Sequence, residues 1–149
     1  MRIAIASDHG GYQLKDLLAA RLKEAGHTVT DLGGSAERSD YPAPAAAVGR
    51  AVTSGEADRG VLVCGSGIGV SIAANKIKGI RAAMVSEPLS ARLSREHNDA
   101  NVVCLGERMI GPEMAWEIVQ VFLKTEHQGG RHTVRVGQIG ELEEARLGC

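Results

Sequence analysis

The sequence predicts an α/β protein in which helices cover both faces of a parallel sheet, giving a three-layer α/β/α sandwich. Short apolar, β-branched runs alternate with amphipathic stretches along all 149 residues. Regular alternation of this kind is typical of parallel strands joined by helical crossovers. The sequence has no internal repeat, low-complexity tract or shift in composition. Residues 1–149 are therefore predicted to form a single domain.

Five short runs are predicted to be buried strands. In chain order they are RIAIA at 2–6, TVTDL at 28–32, GVLVC at 60–64, RAAMV at 81–85 and NVVCL at 101–105. Each run is too short for a helix of ordinary length, and helices are expected between them.

Two amphipathic helices are indicated by apolar residues that recur every three or four positions. In the first, which stops at Gly26, these residues are Leu14, Leu17, Leu18, Leu22 and Ala25. In the second, which begins at Pro112, they are Ala115, Ile118, Val119 and Phe122. The tail, residues 126–149, is predicted to be a glycine-containing loop followed by a short polar helix.

Composition argues against several classes of protein. A formal net charge of −1 and 3% aromatic residues do not suit nucleic-acid binding. The longest uncharged stretch, residues 60–75, is too short and too glycine-rich to span a bilayer. The apolar start of the chain ends at Asp8, which is unlike a signal peptide. We therefore expect a cytoplasmic protein that binds neither nucleic acid nor membranes.

The cysteines are Cys64, Cys104 and Cys149, an odd number without paired spacing. This pattern argues against a disulfide framework and against a zinc site. All three are expected to be free thiols, and no metal is expected.

Polar residues follow three of the predicted strands: SDH at 7–9, CGS at 64–66 and GER at 106–108. Ligands of parallel α/β sheets bind at the carboxyl ends of the strands. We therefore expect these polar groups to converge at one edge of the sheet.

The loop after the third strand contains Gly65, Gly67 and Gly69. It has neither the spacing of a dinucleotide fingerprint or a P-loop nor the frame of a hydrolase nucleophile elbow. Small residues between a strand and a helix let successive N–H groups bind an anion, but they also suit a tight turn without a ligand. The spacing alone leaves both readings open.

Cys64 precedes this loop, where N–H groups and a helix terminus would favour a thiolate able to act as a nucleophile or base. A free cysteine is more often a small buried hydrophobe, as expected of Cys104. His97 and Asn98, and the pair Asp8 and His9, are expected nearby in the fold.

Arg131 and Arg135 are four residues apart in a tract with few apolar residues. This spacing suits either a phosphate clamp or an ordinary solvated face.

Six motifs occur in order: SDHGGYQLK, DYP, CGSGIGVSIAANK, GIRAA, SREHNDANV and GGRHTVRV. From residue 3 to about 136 the chain resembles the ribose-5-phosphate isomerase B family, which includes both subunit types of galactose-6-phosphate isomerase. The resemblance implies a Rossmann-like fold with strand order 2-1-3-5-4. It also implies cofactor-free interconversion of ribose 5-phosphate and ribulose 5-phosphate through an enediolate.

Carried over to this sequence, the resemblance makes Cys64 the base that moves a proton between C1 and C2. Some relatives use a glutamate later in the loop, but here residues 68–70 contain no acid. Ser66 would help to move a proton between the oxygens, and His97 would open the sugar ring. The loop N–H groups that would stabilise the enediolate belong to Gly65, Gly67, Ile68 and Gly69.

The same resemblance implies that Asp8 holds sugar hydroxyls and that Asn98 binds the oxygens of the reacting end. The residues implied for the phosphate are His9, Arg131 and Arg135, with Arg108 as a further candidate. In this family two chains build each site. We therefore expect a homodimer or a dimer of dimers, with residues 126–149 completing the site at the interface.

Two alternatives remain. One is an isomerase that prefers a six-carbon sugar phosphate such as allose 6-phosphate, because the sequence does not fix the depth of the pocket. The other is a non-catalytic phosphate- or nucleotide-binding module on a flavodoxin-like fold, for which the glycine loop alone would suffice.

Overall fold

The computed structural model describes residues 1–145, which form five strands and six helices. Cys149, predicted to be a free thiol, and the last residues of the predicted tail helix lie outside this range. The strands are β1 (Arg2–Ser7), β2 (Thr28–Asp31), β3 (Arg59–Cys64), β4 (Ala82–Met84) and β5 (Val102–Gly106). The helices are α1 (Tyr12–Glu24), α2 (Pro42–Thr53), α3 (Ile68–Ala74), α4 (Pro88–Asn98), α5 (Pro112–Lys124) and α6 (Arg131–Ala145).

All strand pairs are parallel and the sheet order is β2-β1-β3-β5-β4, which confirms the predicted topology. Alternate residues of a strand face opposite sides of a sheet, so each central strand contributes to two cores. Ile3 and Ile5 pack with residues of α1, α4 and α5, whereas Ala4 and Ala6 pack with residues of α2 and α3. The three-layer α/β/α prediction is confirmed.

Two of the five strands predicted to be buried are not. In β2 only Val29 is partly buried, and Met84 of β4 is 42% exposed. Both are edge strands, which pair on one side alone and are incompletely covered by helices. The central strands β1, β3 and β5 are buried as predicted.

The predicted helical faces are largely observed. The apolar residues assigned to α5 are fully buried, and so are Leu18 and Leu22 of α1. Ala25 is exposed, contrary to the prediction, because α1 ends at Glu24 and residue 25 lies beyond its last turn.

The tail contains more helix than the sequence predicts. Gly129 and Gly130 both have positive φ and precede α6, which is 15 residues long and begins at Arg131. Arg131 and Arg135 therefore lie in its first turns, one above the other on the same face. The helix packs against α4, and His132 is its buried residue. Within residues 1–145, no helix has the length and hydropathy needed to cross a membrane.

Candidate functional site

A cleft of about 300 Å³ lies at the carboxyl ends of the central strands. Its lining residues are Asp8, His9, Gly10, Tyr41, Cys64, Gly65, Ser66, Gly69, Arg108 and Met109. The predicted convergence of the ends of β1, β3 and β5 is therefore confirmed. We call these residues the cleft group.

Cys64 is the last residue of β3 and is 4% exposed. The backbone N–H of Gly67 donates a hydrogen bond to its sulfur, with N and Sγ 3.1 Å apart. Gly67 adopts φ +78, and a Cβ at this position would lie 2.9 Å from the carbonyl carbon of Leu105. Glycine therefore allows the loop to turn back toward the cysteine, and an N–H directed at sulfur stabilises negative charge there.

Cys104 provides the contrast within the same sheet. It is fully buried in the core, and this burial raises the pKa of its thiol well above the ordinary value. A thiol in this environment stays protonated, so the prediction that Cys104 is a packing residue is confirmed.

The loop after Cys64 is held in place by a hydrogen bond within the loop and by close contact with Tyr41. The hydroxyl of Ser66 accepts a hydrogen bond from the N–H of Ile68 at 3.3 Å. A Cβ on Gly69 would lie 2.9 Å from the ring of Tyr41, so only glycine allows the ring to approach this closely. Tyr41 forms a wall of the cleft and was not predicted as a site residue. The DYP motif at 40–42 carried the signal, since its Pro42 begins α2 and places Tyr41 at the N-cap of that helix.

Asp8 and His9 are fixed by neighbouring backbone groups. The Oδ1 atom of Asp8 accepts a hydrogen bond from the N–H of Gly10 at 2.8 Å. The N–H of His9 donates to the hydroxyl of Ser39, and its ring Nδ1 lies 2.9 Å from the carbonyl oxygen of the same serine. Ser39 therefore orients the imidazole, and Nε2 is the ring nitrogen left for a ligand.

The end of β5 is joined to the glycine loop by backbone hydrogen bonds. The N–H of Glu107 donates to the carbonyl of Cys64, and the N–H of Arg108 donates to that of Gly65. These bonds hold the exposed Arg108 beside the loop. Glu107 has a different role, since its carboxylate accepts a hydrogen bond from the N–H of Leu14 in the first turn of α1.

His97 and Asn98 do not lie near Cys64 in this chain, so this part of the sequence prediction is wrong. They end α4, and the carbonyl of Asn98 accepts a hydrogen bond from Arg81, which precedes β4. Crossover helices run antiparallel to the strands, so α4 ends at the amino edge of the sheet. Cys64 lies at the carboxyl edge.

His97 instead belongs to a second group of side chains formed by α4 and α6, which we call the α4–α6 group. Its members are His97, Asn98, Arg131, His132 and Arg135. The imidazoles of His97 and His132 are stacked, with centroids 4.2 Å apart and planes 6° from parallel. His132 was not predicted, although it lies within the GGRHTVRV motif.

The surroundings of His132 favour its neutral form. Its burial, His97 and the two arginines lower the pKa of its imidazole. His127 also contributes, and its ring Nδ1 lies 2.9 Å from the carbonyl of Glu96, which ties the loop before α6 to α4.

The two groups have complementary chemistry. The cleft group offers a thiol, a hydroxyl, a carboxylate and backbone N–H groups, which suit proton transfer and binding of hydroxyl groups, and its His9 and Arg108 add an imidazole and a guanidinium group that can bind an anion. The α4–α6 group offers two imidazoles, an amide and, at a helix N-terminus, two guanidinium groups, which suit an anion. Among residues 1–145, no cluster of three or more His, Cys, Asp or Glu side chains is arranged to hold a metal ion.

The model of a family described as Ribose/Galactose Isomerase matches residues 3–139. Ribose-5-phosphate isomerase B of Escherichia coli is 50% identical over 97% of this chain and 98% of its own. D-erythrulose-4-phosphate isomerase of Pectobacterium atrosepticum is 41% identical over 96% of this chain and 95% of its own. Among solved structures, ribose-5-phosphate isomerase B of Clostridium thermocellum is 54% identical with a TM-score of 0.97, covering 98% of this chain and 99% of that one.

Proposed function

The chain belongs to the ribose/galactose isomerase family, and on that premise we propose that it interconverts ribose 5-phosphate and ribulose 5-phosphate. The observation that carries the proposal is the thiol of Cys64 at the edge of the cleft, with the N–H of Gly67 directed at its sulfur. Aldose–ketose isomerisation needs a base at the carbon acid and donors for the resulting oxyanion. Both lie in the cleft.

In the proposed reaction, Cys64 acts as the thiolate and removes the proton from C2 of the open-chain aldose. The electrons of the broken C–H bond form an enediolate, whose charge the N–H groups of the glycine loop stabilise. Ser66 helps to move a proton from one oxygen to the other. Cys64 then returns its proton to C1, which completes the ketose and restores the thiolate.

Ribose 5-phosphate is mostly a closed furanose, so its ring must open before isomerisation. We assign this acid–base step to His97, while Asp8 holds sugar hydroxyls and Asn98 binds the oxygens at the reacting end. The fixed contact of Asp8 with Gly10 supports its role, because a preorganised acceptor needs no rearrangement when the sugar binds.

The phosphate is assigned to His9, Arg131 and Arg135, with Arg108 as a further contact. Each guanidinium group can bind phosphate through two parallel hydrogen bonds, and two arginines on one face can share one phosphate. Arg131 and Arg135 are exposed on one face of α6, and His9 keeps Nε2 free. These positions support the assignment.

The site needs two chains, because the cleft group and the α4–α6 group lie at opposite edges of one sheet. A second copy supplies the missing group to each cleft, giving a homodimer or a dimer of dimers. The whole chain is one isomerase domain, and residues 126–149 complete the partner's site. Two exposed apolar residues support such an interface: Met109, which lines the cleft, and Ile68, which begins α3 beside it.

Coexpression of two inactive variants tests the shared site. Cys64→Ala and His97→Asn each damage a different half, so a mixed dimer of the two contains one intact site. Random pairing should restore about a quarter of the activity of the unsubstituted dimer. Absence of restoration in a mixture shown to contain mixed dimers would contradict the shared site.

The comparisons do not favour the two alternatives, a six-carbon preference or a non-catalytic binding module. Turnover of ribose 5-phosphate well above that of allose 6-phosphate, unchanged after treatment with EDTA, is the expected result. No turnover of either sugar would overturn the proposed function.

The reaction belongs to the non-oxidative pentose phosphate pathway. The cellular location proposed for it is the cytoplasm, and the unpaired thiols of Cys64 and Cys104 suit such a reducing compartment.

A further inference from the structure

Arg81 lies in the GIRAA motif, and the function described so far gives it no role. It precedes β4 and is the centre of a hydrogen-bonded cluster at the end of α4. Its Nε donates to the carbonyl oxygens of Asn98 and Asp99, each at 3.0 Å. Its terminal nitrogen also donates to the carboxylate of Asp99 at 3.1 Å. One guanidinium group therefore binds the turn that directly follows His97.

The backbone of Arg81 is itself fixed. Its N–H donates to the side-chain oxygen of Asn101 at 2.9 Å, and its carbonyl accepts from the N–H of the same residue. Asn101 thereby holds the start of the Arg81 side chain at a constant distance from the end of α4.

The turn that Arg81 binds has an unusual backbone. Asp99 adopts φ +46, and among residues 1–145 it is the non-glycine residue with a positive φ. Helices often end with a left-handed residue, but glycine is favoured there because a side chain strains this conformation. Asp99 keeps it because its carboxylate binds two arginines, Arg81 and the buried Arg95.

These bonds act on the carbonyl groups that a helix leaves without partners in its last turn. If Arg81 were absent, the carbonyls of Asn98 and Asp99 would lose their shared donor, and the strained turn would lose one of its two ion pairs. His97 and Asn98 would then occupy a range of positions. Contacts that must be accurate for an acid–base step would be weakened.

We propose that Arg81 is a positioning residue for His97 and Asn98, holding the end of α4 so that both side chains meet the sugar correctly. This proposal rests on the proposed function, because it takes His97 as the group that opens the ring. Arg81 itself does not touch the substrate, and it acts through the turn at residues 98 and 99.

A double-mutant cycle separates positioning from simple stabilisation. Arg81→Gln should lower kcat/KM for ribose 5-phosphate at least about tenfold in the unsubstituted protein, because small displacements of an acid–base group are costly. In a His97→Asn protein the same change should cost less than about threefold, since most of what it positions is already lost. If Arg81→Gln does not fold, Arg81→Lys provides the milder variant for the same cycle.

Arg2 offers a matched control at the same edge of the sheet. It also donates to a backbone carbonyl, that of Gly55, and to a carboxylate, that of Asp58, but it has no bond to α4. Arg2→Gln should lower the melting temperature without changing kcat/KM by more than about twofold.

The outcomes are distinct. If Arg81→Gln lowers kcat/KM by the same factor in the unsubstituted protein and in the His97→Asn protein, the positioning role is overturned and the isomerase assignment stays intact. An unchanged kcat/KM in a folded Arg81→Gln protein would do the same. Lack of turnover by the unsubstituted protein would overturn the proposed function, and this proposal with it.

Discussion

The imidazole rings of His97 and His132 lie parallel at a centroid separation of 4.2 Å, which joins the end of α4 to the first turn of α6. Two protonated imidazoles in this arrangement would repel each other. Burial and nearby positive groups lower the pKa of His132, which favours the neutral form of this ring. Protonation of His132 would therefore weaken the contact that holds α6 against α4.

The stability of the protein should fall on mild acidification because of His132. Its folded pKa lies below the ordinary value of 6.5, so the unfolded chain takes up this proton at higher pH than the folded protein does. The contribution of His132 to the stability of the folded protein is fully present above the ordinary pKa of histidine. It is lost as the pH falls toward the lowered pKa of the folded state. His132→Phe keeps a stacked ring without a titrating group.

Melting temperatures at about pH 7.5 and about pH 5.5 check this prediction. On acidification the melting temperature of the unsubstituted protein should fall further than that of the His132→Phe protein. His97, His127, Arg131 and Arg135 face His132 and remain in both proteins, so the difference between them reports His132. An equal loss in both would contradict the predicted linkage.

Replacing Cys64 should abolish most of the activity while leaving the fold intact. General bases contribute about 10²–10⁴-fold to turnover, so Cys64→Ala should lower kcat by at least about 100-fold. Cys104→Ala is the matched control, because that thiol is buried in the sheet and kept protonated. Cys104→Ala should lower the melting temperature and have little effect on kcat. Near-normal turnover in a folded Cys64→Ala protein would exclude Cys64 as the base.

Loss of His97 should affect closed-ring substrates more than open-chain ones. D-erythrose 4-phosphate carries its phosphate on the hydroxyl that would close a furanose, so it stays open-chain and can test this prediction. His97→Asn should lower kcat/KM for ribose 5-phosphate about 100-fold or more, and that for the four-carbon sugar much less.

A second readout uses deuterium at C2 of ribose 5-phosphate. When ring opening limits the rate, the isotope effect on proton removal is suppressed. His97→Asn should therefore show a smaller isotope effect than the unsubstituted protein. Equal losses on both sugars, with an undiminished isotope effect, would mean that His97 serves the enediolate step.

Arg135 should contribute mainly to binding of the phosphate. Losing one charged hydrogen bond costs on the order of 1.5–3 kcal/mol, so Arg135→Ala should raise KM about 10-fold or more. The loss in kcat should be smaller, because the phosphate is remote from the reacting carbons and its binding is mostly uniform. Arg135→Lys should restore part of the affinity, since lysine keeps the charge without the planar fork.

Competition by inorganic phosphate provides the independent measurement. It should inhibit the unsubstituted protein and inhibit the Arg135→Ala protein more weakly. Arg50→Ala, which removes an exposed arginine on α2, should leave both KM and phosphate inhibition unchanged. If Arg135→Ala behaves like Arg50→Ala, the phosphate is bound elsewhere, and His9 and Arg108 are the next residues to replace.

The sequence by itself determined the layers, the central strands and the cleft. Apolar runs and helical spacing are local properties of the chain, and residues that follow parallel strands must meet at one edge. Asp8, Cys64 and Arg108 could therefore be placed together before the structure was known. The exposure of β2 and β4 could not be predicted from their composition, because it depends on which strands are left at the edges.

Only the tertiary structure decided which site residues share an edge of the sheet. His97 and Asn98 lie in a sequence motif as distinctive as that of Cys64, but the motif by itself does not say at which edge of the sheet its side chains lie. The crossover geometry takes the end of α4 to the amino edge, far from the cysteine. The stacking of His132, the wall formed by Tyr41 and the bonds from Arg81 to residue 98 also join distant segments. Such contacts arise from the packing of whole elements, which local sequence does not specify.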